Sequence, residues 1–288
     1  MKYLVTGSGG QLGQEWVSYL KINKLNFSAF SSSEMDITNP EQVREQIKIA
    51  EPNVVINCAA YTNVDGAEEI PDVAFKVNTH GAEIIAKECR RYRAKLVHYS
   101  TDYVFPGREK DAERYPNGYP EDANSAPVNV YGKSKKEGED AIIKFASDWL
   151  IIRVSWLCGR YGNNFLKTML RLGKERDKLD IVNDQLGTPS FCHDVVDKTV
   201  RLIELEQQGF FHVTSEGEIS WFDFAEKIFE LEKMNVACNP VSSEHFPAKA
   251  TRPKFSLLNT TKMRDIGIEP IHWEKGTSEL LQQLKKHS

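Results

Sequence analysis

The sequence has no run of about 18 consecutive apolar residues, so it offers no segment long enough to cross a bilayer as a helix. Its first stretch, Met1-Lys2-Tyr3-Leu4-Val5-Thr6-Gly7, does not read as a secretion signal, because a glycine ends the apolar run too early. The five cysteines (Cys58, Cys89, Cys158, Cys192, Cys238) are scattered and form no Cys-x-x-Cys pair. That argues against a zinc knuckle or a disulfide framework, and for free thiols in a reducing cytoplasm. The seven histidines lack a His-x-x-x-His spacing, so no metal site is expected. The 37 Lys and Arg are not gathered into a basic stripe, and a net charge of −4 gives a nucleic-acid backbone little to hold. What is present is a chain of 288 residues, 40% apolar and 10% aromatic, with ample material for a packed core.

Tyr3-Leu4-Val5 followed by Gly7-Ser8-Gly9-Gly10-Gln11-Leu12-Gly13 reads as a buried strand, a glycine turn and a helix carrying Leu12, Trp16, Val17 and Leu20 on one face. Further strands are predicted at 26–30, 54–60, 96–100 and 150–154, with helices opening at Pro40 and over about 72–91 and 130–145. Residues 106–128, rich in Gly, Pro, Asn, Asp and Glu, read as a long surface loop. Strands alternating with helices predict an α/β fold, a Rossmann doubly wound parallel sheet, over residues 1–155. Residues 156–288 carry helical patterns near 165–174, 195–206, 221–233 and 278–286, and short strands near 181 and 210. They are expected to form a smaller mixed α/β C-terminal substrate lobe, with about 191–215 returning to the first domain.

Gly7, Gly10 and Gly13 sit at the first strand-to-helix junction. Bare backbone there can approach a pyrophosphate whose charge meets the helix N-terminus, although a purely structural turn would use the same glycines. The end of the second strand holds Ser31, Ser32 and Ser33, with Glu34 beyond. Neither the acid that selects a free ribose 2′-hydroxyl nor an Arg for a 2′-phosphate stands there, which favours NADPH with NADH tolerated. Asp36 and Ile37 suit an adenine edge, or else a capping approach to Pro40. Tyr131 and Lys135, four apart on a predicted helix, share one face. A neighbouring ammonium is expected to draw the phenol's pKa down from about 10, towards the range where it serves as an acid. Thr101, just past a strand end, can bond the oxygen on which charge develops.

The glycine turn with Tyr131-x-x-x-Lys135 resembles the extended short-chain dehydrogenase/reductase superfamily. Four further runs resemble, more closely, the dTDP-4-dehydrorhamnose reductase family. They are His98-Tyr99-Ser100-Thr101-Asp102-Tyr103-Val104-Phe105, Asn129-Val130-Tyr131-Gly132-Lys133, Gly162-Asn163-Asn164-Phe165 and Val182-Asn183-Asp184-Gln185-x-Gly187-x-Pro189. The likeness continues to Arg252-Pro253 and Leu258-Asn259.

This resemblance implies NAD(P)H-dependent reduction of the C4 ketone of dTDP-4-dehydro-L-rhamnose to dTDP-L-rhamnose, by a cytoplasmic enzyme acting on a sugar nucleotide. It implies Tyr131 as proton donor, Lys135 at the nicotinamide ribose, Thr101 polarising the carbonyl, and Asp102 and Trp156 facing the sugar. A core position is the other reading of Trp156. Gly10-Gln11-Leu12, Asp36-Ile37, Ala60-Tyr61-Thr62 and Tyr99 match the family's cofactor contacts. Asn163 and Asn164 are candidates for the sugar or pyrophosphate, with a helix cap as the alternative for one of them. Arg252 is a candidate for the diphosphate or a solvated surface charge. Some relatives bridge a dimer with magnesium; Glu15 matches one such position, but Phe191-Cys192-His193 supplies no second carboxylate. A metal-bridged dimer is therefore not expected, and a homodimer stays open. Three other readings are weighed. A dehydratase would need Glu where Tyr103 stands, and an epimerase would retain its nicotinamide. A non-catalytic dinucleotide-binding regulatory subunit, like that of methionine adenosyltransferase, would keep the fold.

Overall fold

The computed structural model describes residues 1–286. In the first half of the chain, strands β1 (Lys2–Thr6), β2 (Asn26–Phe30), β3 (Val54–Asn57), β4 (Lys95–Thr101) and β5 (Trp149–Val154) alternate with helices. These are α1 (Gln11–Ile22), α2 (Pro40–Ala50), α3 (Val64–Glu69), α4 (Pro71–Phe75), α5 (Ala82–Tyr92), α6 (Asp111–Arg114) and α7 (Val130–Phe145). Side-chain caps start several of them: Asn39 accepts from Glu41 N and Gln42 N, Asn63 from Gly66 N, and Asn129 from Gly132 N.

The main sheet runs Gly209–His212, β5, β4, β3, β1, β2, with every pair parallel. Strand order reverses between β1 and β3, and a crevice opens there at the carboxyl ends, the usual ligand site of such sheets. One face of the sheet packs Trp16 and Leu20 of α1 with Val195 and Val196; the other packs Val43, Ile47, Ile85 and Ile142. Sheet strands covered on both faces explain the continuous apolar runs at 54–56 and 150–152.

The rest of the chain comprises β6 (Leu157–Cys158), α8 (Phe165–Glu175), β7 (Lys178–Val182), β8 (Leu186–Gly187), β9 (Ser190–Phe191) and α9 (Cys192–Glu204). Then follow β10 (Gly209–His212), β11 (Ile219–Ser220), α10 (Trp221–Leu231), β12 (Ala237–Val241), α11 (Thr261–Asp265) and α12 (Trp273–Lys286). A separate core joins α8, α10 and α12 through Leu166, Phe224, Ile228 and Leu280. The chain thus leaves the first sheet after β5, contributes α8 to this second core, returns to the sheet with β10, and then completes the core with α10 and α12. No helix among the described residues is long and apolar enough to cross a membrane.

Among the elements that differ from the sequence expectation, β3 ends at Asn57 rather than at 60 and α9 starts at Cys192 rather than at 195. The helix expected over 72–91 is interrupted by a π-helical turn, Lys76–Gly81. Asn78 causes it to bulge inward, bonding Tyr61 N and O and Ser134 Oγ, while Thr79 Oγ1 donates to Ser134 O. The segment 106–128, expected as loop throughout, contains α6. Helix α12 begins five residues earlier than expected, because Gly276, which reads as a breaker, lets its backbone pack directly on Phe191: a Cβ there would lie 2.3 Å from that ring.

Candidate active site

The first cleft lies over the glycine turn. Gly7 has φ +65°, and a Cβ on it would lie 2.6 Å from Ala59 N; a Cβ on Gly13 would lie 2.2 Å from Gly7 O. Only glycine allows the turn to fold this tightly. Gly10 caps α1 without any side-chain bond, leaving the first N–H groups of the helix for an anion. A cavity of about 450 Å³ adjoins it, lined by Gly7, Gly9, Gly10, Ser31, Ser32, Asp36, Ile37, Cys58, Ala59, Ala60 and Tyr61. An open phosphate cradle continuous with a pocket at the β1/β3 reversal fits a dinucleotide. Gly13→Ala is expected to force the turn open and weaken dinucleotide affinity by about tenfold or more, a change of at least ~1.4 kcal/mol. Unchanged affinity in calorimetric titration would contradict the cradle.

The second cleft, of about 660 Å³, lies between the sheet ends and the second core. Tyr103, Trp156, Phe165, Gln185, Trp221, Arg252 and Ser256 line it. Trp156 holds a left-handed backbone, φ +45°, and stacks on Trp221 at 3.6 Å between ring centroids. Trp221 Nε1 donates to Gln185 Oε1, which fixes this aromatic wall. Arg252 is half-exposed and paired with Asp65 at 2.6 Å.

Tyr131 and Lys135 on α7 stand between the clefts. The Tyr131 ring meets Tyr103, a residue of the second cleft, edge-on at 5.6 Å. Lys135 lies within electrostatic reach of Cys58, a residue of the first. Tyr131 lies beside Thr101, which favours its phenolate form, and Thr101 Oγ1 donates to Asp102 Oδ1 at 2.9 Å. Burial holds the Asp102 carboxyl up at about 7, against hydrogen bonds that lower it. The structure therefore brings Thr101, Asp102, Tyr131 and Lys135 together at the carboxyl end of β4.

Across the whole chain, residues 1–286 match the sequence pattern of the family described as RmlD substrate binding domain. The chain belongs to this family. Among relatives of this RmlD type, a dTDP-4-dehydrorhamnose reductase of Aggregatibacter actinomycetemcomitans is 38% identical, over 97% of this chain and 98% of its own. A dTDP-4-keto-6-deoxy-D-glucose reductase of Streptomyces niveus is 37% identical, over 94% and 93%. The crystal structure of a dTDP-4-dehydrorhamnose reductase from Bacillus anthracis in complex with NADP superposes with a TM-score of 0.93 at 40% identity, over 98% of this chain and 99% of that one.

Within this RmlD-type framework, several expectations need correction. Lys135 Nζ is not bonded to the phenol. Its Nζ is drawn to Tyr99 O at 2.6 Å and His98 Nε2 at 3.1 Å, and burial lowers its own pKa to about 8. Burial pushes Tyr131 above the ordinary phenol value, and Asp102 and Tyr103 push the same way. The Tyr99 side chain is in the core, accepting from Trp16 Nε1 and donating to Thr199 Oγ1, so only its main chain reaches the site. Leu12 is likewise a core side chain. Asn164 is consumed as the cap of α8 and by Gln11 Oε1 and Gly159 O. Asn163 and Thr62 are exposed and line neither cleft. Gln11 spans the lobes instead, donating to Leu157 O. Asp36 serves both readings: it accepts from Thr38 N and Oγ1, and it lines the first cleft. Glu15 is bound by Arg160 through both carboxylate oxygens.

Sequence reasoning gave no role to Trp221, Gln185, Asp65 or Ser256. Gln185 and Ser256 stand in or beside quoted motifs without a role of their own, Asp65 lies far in sequence from Arg252, and Trp221 reads simply as the apolar start of a helix.

Proposed function

We propose that this chain reduces the C4 ketone of dTDP-4-dehydro-L-rhamnose to dTDP-L-rhamnose, using NADPH and tolerating NADH. The observation that carries this reading is the cluster of Tyr131, Thr101 and Asp102, with Lys135 on the same helix face, set between a phosphate cradle and an aromatic-walled cleft. The bound nicotinamide supplies the hydride. Gly7, Gly10 and Gly13 admit its pyrophosphate, while Asp36, Ile37, Ala60 and Tyr61 border the adenosine end.

Tyr131 holds the proton destined for the C4 oxygen. Because burial keeps the phenol fully protonated at neutral pH, it is a ready donor that loses its proton only as charge builds on the substrate oxygen. With substrate in place the Thr101 hydroxyl turns its one hydrogen from Asp102 to that oxygen and stabilises the developing charge. Trp156, backed by Trp221, presents a flat face to the sugar. Arg252 at the cleft rim is suited to the diphosphate, with Asp65 orienting its guanidinium.

Initial rates of nicotinamide oxidation with dTDP-4-dehydro-L-rhamnose test the reading, with the UDP-linked sugar as comparison. Sustained turnover is expected with the dTDP sugar, faster with NADPH than with NADH. Tight dinucleotide binding without turnover would instead favour a binding subunit. Arg252→Ala is expected to raise KM for the sugar nucleotide by about tenfold with a small effect on kcat, the signature of lost uniform binding. An unaltered KM would remove Arg252 from the diphosphate site.

A further inference from the structure

At the end of β2 the chain turns back on itself and gathers hydrogen-bond donors around one carboxylate. Ser31 O accepts from the N–H groups of Glu34 and Met35, at 3.1 and 3.0 Å, and the turn brings the Glu34 side chain back to Ser31. Glu34 Oε2 accepts from Ser31 N at 2.7 Å and from Ser31 Oγ at 2.7 Å. Ser31 Oγ also lies 2.9 Å from Ser33 Oγ. A hydroxyl has one hydrogen, and that of Ser31 goes to the carboxylate, so Ser33 is the donor in the second pair. These partners are neutral, yet they hold the Glu34 carboxyl below the ordinary carboxylate range. They form a small set of donors arranged for an anion.

The set stands beside the phosphate cradle. Ser31 is the first residue after β2, and Ser31 and Ser32 line the first cleft with Gly9 and Gly10. Ser8 N donates to Phe30 O at 3.0 Å, and a Cβ on Gly9 would lie 3.7 Å from Ser31 Cβ. In doubly wound dinucleotide folds this strand end meets the 2′ position of the adenosine ribose. Among the described residues lining the cleft only Asp36 carries a formal charge, so no Lys or Arg there receives a 2′-phosphate. What the strand end offers such a phosphate is the group of donors that Glu34 holds.

We propose that Glu34 is an internal stand-in for the 2′-phosphate, occupying the Ser31 donors that the phosphate needs, and that displacing it sets how far the chain prefers NADPH over NADH. A 2′-phosphate must turn Glu34 out of these bonds and then lie near its charge, which offsets part of what the donors contribute. The displaced carboxylate has a second place to go, since Glu34 also borders a surface hollow lined by Gln14, Ser18 and Lys21. A 2′-hydroxyl carries no charge and can donate to the carboxylate where it stands, so NADH requires no such displacement. Glu34 thus acts differently from an acid placed at the strand end itself: it narrows a preference for NADPH and keeps NADH usable. The inference rests on the dinucleotide reading of the first cleft and on no step of the reduction.

Calorimetric titration with NADP+ and NAD+, which needs no turnover, tests this. Glu34→Gln keeps an oxygen for Ser31 and removes the charge, whereas Glu34→Ala clears the donors; the side chain is exposed, so both variants are expected to fold. The ratio of the NAD+ to the NADP+ dissociation constant should rise by about tenfold in Glu34→Gln and at least as far in Glu34→Ala, through tighter NADP+ binding. Adding Ser31→Ala to Glu34→Ala should then reverse most of that gain, because the hydroxyl released by Glu34 now serves the phosphate. A ratio unchanged in both single variants, or a parallel weakening of both nucleotides, would overturn the proposal and leave Glu34 as a lock on the turn. Weaker NAD+ binding with NADP+ unaltered would also overturn it, making Glu34 a ribose ligand only. The shifted ratio in a chain without turnover would refute the reductase reading and leave this inference standing; turnover with an unshifted ratio would overturn this inference alone.

Discussion

Tyr131→Phe is expected to lower kcat by about 10²–10⁴-fold, the usual contribution of a positioned acid, while leaving the fold and dinucleotide affinity intact. The substitution removes one oxygen. The ring keeps its edge contact with Tyr103, and Thr101 keeps its bond to Asp102, so packing gives little reason for collapse. The loss should appear equally in kcat and kcat/KM, because the deleted proton transfer belongs to the transition state alone. The physical reason differs from the one the motif suggests. A Tyr and a Lys four residues apart invite the idea of an ammonium acidifying a phenol, yet Lys135 turns away to the β4 main chain and to His98. Tyr131 is therefore best described as a half-buried acid that stays protonated until the substrate oxygen takes its proton. Near-normal kcat in Tyr131→Phe, measured alongside circular dichroism and dinucleotide titration, would remove it as the proton donor.

The second large effect concerns stability. Glu139→Ala is expected to destabilise the protein by about 3–5 kcal/mol, because it strands a buried cation. Arg153 Nε and Nη2 bind the two carboxylate oxygens at 2.8 and 2.9 Å, and both side chains are at most 3% exposed. The guanidinium also bonds Glu121 O and lies over the Phe210 ring at 4.2 Å, so it has no route to water. Denaturant unfolding measures the change, and a loss below about 1 kcal/mol would mean that Arg153 finds another partner. Exposed pairs such as Arg171–Glu175 are expected to contribute well under 1 kcal/mol when removed. The Glu139–Arg153 pair also anchors α7 to β5 one turn beyond Lys135, so it links the fold's stability to the placement of the site.

The Rossmann sheet was legible because its strands are apolar on both faces and its helices carry caps and 3.6-residue patterns; α7 runs from Val130 to Phe145, matching the expected 130–145. The glycine turn was legible for a related reason, since Gly7 and Gly13 answer a local steric demand. The π-turn at 76–81 was not, because Asn78 is drawn in by Tyr61 and Ser134, partners a local window does not contain. Site residues show the same divide. Thr101, Asp102, Tyr131 and Lys135 lie in contiguous motifs at strand and helix ends, and the structure brings them together. Side-chain direction was harder to read. Tyr99 alternates into the core, Asn164 caps its own helix, and the orientation of Lys135 depends on His98 and Asn57, two strands' worth of context. The aromatic wall needs Trp221, separated from Trp156 by the length of the second core.

Transfer of deuterium from nicotinamide-deuterated NADPH to the sugar tests the account most directly. Incubation with dTDP-4-dehydro-L-rhamnose, followed by NMR and mass analysis of the product, should give dTDP-L-rhamnose carrying one deuterium at C4. A product with deuterium at another carbon, or an unchanged ketone beside intact dinucleotide, would contradict it.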